Sequence, residues 1–174
     1  MKEETLKRIF DFLEEKEERR APLRWKILNN IPLTKEDLNV KGNLILRNTN
    51  ITSLPEDLKV GGGLYIENTK ITSLPEGLKV NGDLDLGDTN ITSLPEGLKV
   101  GGFLSLDNTK IISLPEGLKV SLWLDLRNTK INSLPKGLEV HFGLSIKNTA
   151  LLDYTDEELR EMIKPGFIKG KIKR

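Results

Sequence analysis

His141 is the only imidazole in the chain, and cysteine is absent. Thiolate metal sites, disulfides, cysteine nucleophiles and two-histidine zinc centres therefore lack their residue types. No serine nucleophile motif surrounds His141, which reads as a structural or exposed residue. The pairs Gly61-Gly62 and Gly101-Gly102 lack the Gly-Lys-Ser/Thr that completes a phosphate loop. Asp83, Asp85, Asp107 and Asp125 are spaced to gather across adjacent segments and hold a cation weakly, but no Asp-Gly calcium pattern accompanies them. The expectation is a non-enzyme without cofactor or metal. What remains is recognition chemistry: Phe103 and Trp123 stand 20 residues apart, close in sequence to Asp107, Asp125 and Arg127. Aromatic residues and arginine are the types enriched at protein-binding hot spots.

The bulk properties narrow the partner. Lys+Arg number 27 against 26 Asp+Glu in 174 residues, a formal charge of +1. That balance disfavours a nucleic-acid surface built on net charge. No apolar run reaches the roughly 18 residues of a membrane span, and the N-terminal stretch is too charged for a signal peptide. A cytoplasmic protein with no membrane contact is expected.

The elements that position these side chains follow from a repeat. Residues 41–140 form five consecutive 20-residue units without insertion, and 31–40 and 141–150 match half-units. The unit reads x-G-x-L-x-[LI]-x-N-T-x-I-x-S-L-P-E-G-L-K-V. Leu84-Asp85-Leu86 and its equivalents alternate with period two, as half-buried strands do, so successive coils are expected to stack in a parallel sheet. In the unit starting at Asn81, the inward positions are Leu84, Leu86, Ile91, Leu94, Leu98 and Val100. The ninth position is always Thr, from Thr49 to Thr149, and follows Asn or Asp. A threonine row closing a turn is the expected role. Pro95 and its equivalents fix φ at the other corner, and Gly77, Gly97, Gly117 and Gly137, with Asp57, suit a positive φ. Gly42, Gly62, Gly82 and Gly102 give way to Leu122 and Phe142, so they read as room for close packing. The late substitutions suggest an apolar cover at the C-terminal end.

The motif Leu44-x-Leu46-x-x-Thr49-x-Ile51, repeated as Leu84-x-Leu86-x-x-Thr89-x-Ile91 and followed by Leu-Pro, resembles the leucine-rich-repeat family. Threonine stands where that family has its ladder asparagine. The unit is also similar to LPEGLKVGG-type repeats of bacterial and phage proteins. The resemblance implies a repeat solenoid, mainly β, with one parallel sheet of leucine-rich-repeat type and helical caps at both ends. It also points to modulation of a host or defence protein. The division is an N-terminal helical cap at 1–30, the solenoid at 31–150, and a capping helix with basic tail at 151–174.

A helix over residues 2–19 presents Leu6, Ile9, Phe10 and Leu13 as one stripe, and the stretch through Pro22 ends it. Thr155 caps a second helix that Pro165-Gly166 stops. The tail FIKGKIKR reads as solvated or as blunting a sheet edge. On the outward strand face, three columns vary freely and are expected to bind an unidentified protein through Tyr65, Asp83, Asp85, Phe103, Asp107, Trp123, Asp125 and Arg127. Phe103 and Trp123 are read as neighbours, either open to a partner or packed under the C-terminal helix. Glu56, Glu76, Glu96 and Glu116 are expected to neutralise Lys59, Lys79, Lys99 and Lys119 at i, i+3. Two other readings remain: a self-assembling solenoid, and a nucleic-acid-associated regulator using these lysines and the basic tail. The chain is expected to be a monomer or a weak homo-oligomer.

Overall fold

The structure, a computed structural model, describes residues 22–174. The helix expected over 2–19 lies outside the described residues. The chain divides into two compact units, residues 1–37 and 38–174. Residues 31–37, grouped above with the solenoid, thus belong to the first unit. A short helix, α1 (Leu23–Leu28), begins directly after Pro22. The Lys26 side chain is buried and donates to both Asp37 carboxylate oxygens at 2.9 Å. Thr34 donates to the same carboxylate from its amide at 2.8 Å and its hydroxyl at 3.0 Å. These bonds tie residues 34–37 back to α1. Burial works to raise the Asp37 pKa, but the hydrogen bonds from Lys26 and Thr34 outweigh it and hold it below the ordinary carboxylate value.

The second unit is a parallel β-solenoid of 20-residue coils, in which each coil gives strands to two sheets. The first sheet contains β1 (Asn39–Val40), β3 (Lys59–Val60), β5 (Lys79–Val80), β7 (Lys99–Val100), β9 (Lys119–Val120), β11 (Glu139–Val140) and β13 (Phe167–Ile168). The second contains β2 (Leu44–Ile45), β4 (Leu64–Tyr65), β6 (Leu84–Asp85), β8 (Leu104–Ser105), β10 (Trp123–Asp125), β12 (Gly143–Ser145) and β14 (Ile172–Lys173). The expected L-x-L strand builds the second sheet; the Lys-Val sheet is additional to that reading. Register follows the repeat, with Leu64 on Leu84, Leu84 on Leu104, and Val80 on Val100. Leu84, Leu86, Ile91, Leu94, Leu98 and Val100 are all buried, as the inward assignment requires. A coil of this size cannot enclose these side chains alone; its neighbours complete the burial.

Two left-handed residues per coil return the chain to its starting point. The residue before each threonine has φ between 53° and 57°, from Asn48 to Asn148. Asn and Asp tolerate that region best among residues with a Cβ. The threonine hydroxyl then donates to the carbonyl three residues back, at 2.6–2.8 Å in all six cases. The threonines therefore close turns within their own coil, and the side-chain ladder between coils runs through the asparagines instead. Asn68 donates to Asn48 at 2.8 Å, Asn108 to Asp88 at 2.6 Å and Asn148 to Asn128 at 2.7 Å. The second left-handed position is Asp57 (φ 59°), then Gly77, Gly97, Gly117 and Gly137 (φ 66–72°). Gly82 has a different reason for being glycine: a Cβ there would lie 2.7 Å from the Gly62 carbonyl carbon.

The last coil departs from the period. It carries a 3-10 turn (Ala150–Asp153) and α2 (Asp156–Met162), so 28 residues separate Val140 from its register partner Ile168. Thr155 caps α2 through a reciprocal pair: it accepts from the Glu158 amide at 3.2 Å, while the Glu158 carboxylate accepts from the Thr155 amide at 2.7 Å. Leu159 and Ile163 are buried. The FIKGKIKR segment is not a solvated tail. It adds β13 and β14, one further strand to each sheet, because Ile168 and Ile172 continue the apolar rows of Val140 and Leu144. Arg160 fixes it by donating to the Ile168 and Gly170 carbonyls. Arg174 donates to the Tyr154 carbonyl at 2.8 Å and to Asp156 at 2.7 Å. Leu122 and Phe142, expected under an apolar cover, are 39% and 62% exposed.

Two outcomes follow. Gly97→Ala is expected to lower stability by roughly 1 kcal/mol in urea unfolding, because alanine resists positive φ. Gly97→Asp is expected to cost less, since Asp57 already adopts that conformation. The depressed pKa makes the Asp37 contribution fully present above the unfolded carboxylate value, near about 3.9, and lost as pH falls through the lower folded value. Trp25 fluorescence in a Trp123→Phe background should show this acid transition, and Asp37→Asn should remove it.

Candidate functional site

The outward face of the second sheet carries the variable columns. Its carboxylates are largely engaged by the fold. The Phe103 amide donates to Asp83 Oδ1 at 2.8 Å, as the Gly63 amide does to Asn43 Oδ1 at 2.8 Å. Asp85 and Asp125 each accept from the amide two residues on, Gly87 and Arg127, at 3.1 Å. The short Asn/Asp side chain reaches a nearby backbone donor and rigidifies the strand exit. Among the described residues, no group of three or more His, Asp or Glu is arranged to hold a metal ion.

Toward the N-terminal end of the face, the Tyr65 ring lies over Gly63, where a Cβ would approach the ring within 2.7 Å. Its hydroxyl donates to Asp83 Oδ2 at 3.3 Å. Burial, then the charge and hydrogen bond of Asp83, raise the phenol pKa above its ordinary value; Asp85 and Glu67 add to this.

Trp123 is held in a similar way at the other end. Its ring covers Gly143, and Nε1 donates to Ser145 Oγ at 2.8 Å. The Phe142 ring stands 5.7 Å away at 52°, and Lys173 Nζ sits 4.4 Å from the indole centroid. Trp123 is thus half-buried beside Phe142 and the β14 lysine, with Phe103 one strand away as the sequence places it. Phe103 and Trp123 nevertheless line one open cleft of ≈ 600 Å³, together with Asp125, Arg127, Phe142, Ser145, Lys147, Lys173 and Arg174. Phe103 is 49% exposed. Arg127 Nη2 bridges Asp125 at 2.7 Å and Asp107 at 3.3 Å. The Asp125 hydrogen bond and charge, then the Asp107 charge, push the guanidinium pKa further up.

Of the residues singled out in the sequence, Phe103, Trp123, Asp125 and Arg127 meet at this cleft, and Asp107 supports Arg127. Tyr65, Asp83 and Asp85 lie on the same face outside the cleft. Phe142, Lys147, Lys173 and Arg174 were not assigned to a site. Lys147 was legible as a member of an outward column. Lys173 arrives through the 28-residue final step, which no 20-residue period signals. His141 packs edge-on against Phe167, with centroids 4.9 Å apart.

Compared with known proteins, the chain matches no family model, no curated protein and no solved structure. Among the described residues, no helix is long and apolar enough to cross a membrane.

Because its folded pKa is raised, the Tyr65 phenol contributes stability that is present below the unfolded tyrosine value of about 10 and lost as pH rises through the folded value. In alkaline unfolding curves, the stability difference between wild type and Tyr65→Phe should therefore be constant below that pH and move against the wild type above it. Coincident curves throughout would show that the Asp83 contact contributes nothing.

Proposed function

We propose that this solenoid is a non-catalytic protein-binding module and that the cleft around Trp123 receives an acidic segment bearing a large apolar side chain. The observation that carries the reading is the placement of two exposed aromatic rings, Phe103 and Phe142, beside a tryptophan whose orientation is fixed by Ser145. Adjacent exposed aromatics mark interaction sites more often than inert surface. Lys147 and Lys173 supply positive charge at the rim, while Arg127 is already occupied by aspartates. The stacked sheet holds these groups in place before binding, so little side-chain entropy remains to be lost. Modulation of a host or defence protein through this face is the role that the similarity to repeats of bacterial and phage proteins favours.

A nucleic-acid role has less support. Of the C-terminal basic residues, Lys173 lies in β14 against the Trp123 ring and Arg174 is tied to Tyr154 and Asp156, and a row of exposed glutamates accompanies the lysine column.

Selection of random peptides on the immobilised protein tests the proposal. Acidic peptides with an aromatic or aliphatic anchor are expected to be enriched, and Phe103→Ala is expected to weaken them by about 2 kcal/mol, roughly 30-fold in Kd. Lys147→Glu should weaken them as well. Phe103 is half exposed, so its truncation leaves the fold intact. Peptides indifferent to both substitutions would place recognition elsewhere.

A further inference from the structure

The outer side of the first sheet carries a charge pattern that the chain does not satisfy by itself. Lys59, Lys79, Lys99 and Lys119 are exposed at the same position of successive coils, with Lys59 in register with Lys79 and Lys99 with Lys119. Three residues earlier in each coil stand Glu56, Glu76, Glu96 and Glu116, also exposed. The expected neutralisation at i, i+3 does not occur. Among the described residues, none of these glutamates, nor Lys59, Lys79 or Lys99, has an opposite charge within 4.0 Å. In the fifth unit both signs reverse, to Lys136 and Glu139, and Lys119 pairs with Glu139 at 2.6 Å. Like charges stacked across neighbouring strands repel one another, and a facing row of opposite sign would relieve that repulsion.

We infer that this face docks against a second copy of the chain, with the two solenoids parallel and related by a two-fold axis along the stacking direction. Such an axis exchanges left and right across the face while keeping each coil at its own level. The lysine row then lies on the glutamate row of the second copy, coil by coil. The sign reversal in the fifth unit is matched too, because Lys136 meets Glu139 of the second copy. A two-fold axis along the strand direction would instead set lysines on lysines over most of the face. Isologous contacts require this kind of self-complementary patch. A polyanion would meet as many carboxylates as ammonium groups here, so it fits the pattern less well. An open groove of ≈ 640 Å³ lined by Lys79, Lys99, Lys119 and Glu96 leaves room for interdigitating side chains. The contact uses none of the residues of the Trp123 cleft.

Exposed ion pairs are individually weak and are screened by salt, with a Debye length of about 10 Å at 0.1 M. The association should therefore be modest and strongly salt-dependent. Sedimentation equilibrium of the full chain is expected to show dimer at low ionic strength, with Kd rising at least about tenfold by roughly 0.5 M salt. The variant Lys59→Glu/Lys79→Glu/Lys99→Glu/Lys119→Glu and the variant Glu56→Lys/Glu76→Lys/Glu96→Lys/Glu116→Lys should each be monomeric, yet form a heterodimer when mixed. Circular dichroism checks that both fold. Should either variant unfold, carbodiimide coupling of a mixed isotope-labelled and unlabelled wild-type sample decides: links between copies should join Lys79 to Glu76 and Lys99 to Glu96. A wild type that stays monomeric at low salt, variants that dimerise alone, or intermolecular links joining distant coils would each overturn the inference.

Discussion

Each coil must bring the chain back to the same point after 20 residues, and that return depends on the left-handed turn before every threonine. Asn48 and its five equivalents share one narrow φ range, and each following hydroxyl closes the turn onto the carbonyl three residues back. Were one turn to open, Leu84 would no longer sit on Leu64, and the aliphatic rows that exclude water would lose continuity. Packing, ladder hydrogen bonds and the placement of outward side chains all descend from this local geometry. The arrangement is cooperative because no coil buries its apolar side chains without the next.

The same regularity explains why the cleft forms at one end. In the earlier coils, glycine at the second position lets the backbones approach, and a Cβ at Gly82 or Gly102 would meet the preceding coil within 3.0 Å. At Leu122 and Phe142 the inter-coil hydrogen bonds persist, Leu122 to the Gly102 carbonyl at 3.1 Å and Phe142 to the Leu122 carbonyl at 3.0 Å. The second-sheet strands lengthen there to three residues, Trp123–Asp125 and Gly143–Ser145. One local change thus extends the pairing and puts apolar side chains on the surface. Trp123 gains a bed on Gly143, and Phe142 gains a position beside it.

Much of this architecture is legible from the residues because each signal is local or repeated. The six inward aliphatics, the Asn-Thr turn and the Gly97-type turn all follow from side-chain chemistry read at one position and multiplied. The Lys-Val sheet is not separable from the L-x-L strand in the sequence, because Leu78-Lys79-Val80 alternates as Leu84-Asp85-Leu86 does and the period-two pattern runs through the bend between them. The C-terminal strands escape because α2 interrupts the period, leaving Ile168 and Ile172 without a spacing to betray them. At the face, residue type suggested recognition for Asp83 and Asp85, but their oxygens serve backbone amides one coil on or two residues on. Pairing of Trp123 with Phe142 rather than Phe103 depends on where the indole tilts, and no one-dimensional pattern encodes that.

The unequal final coil has a genetic consequence. Tandem duplication or loss of a 20-residue block within the interior coils joins identical geometry to itself, whereas a block inserted after Thr149 would separate Val140 from Ile168 and Leu144 from Ile172. Lengthening is therefore permitted only upstream of the terminal closure. The aromatic cleft travels with that closure, and every inserted block would act as a spacer of about 4.8 Å.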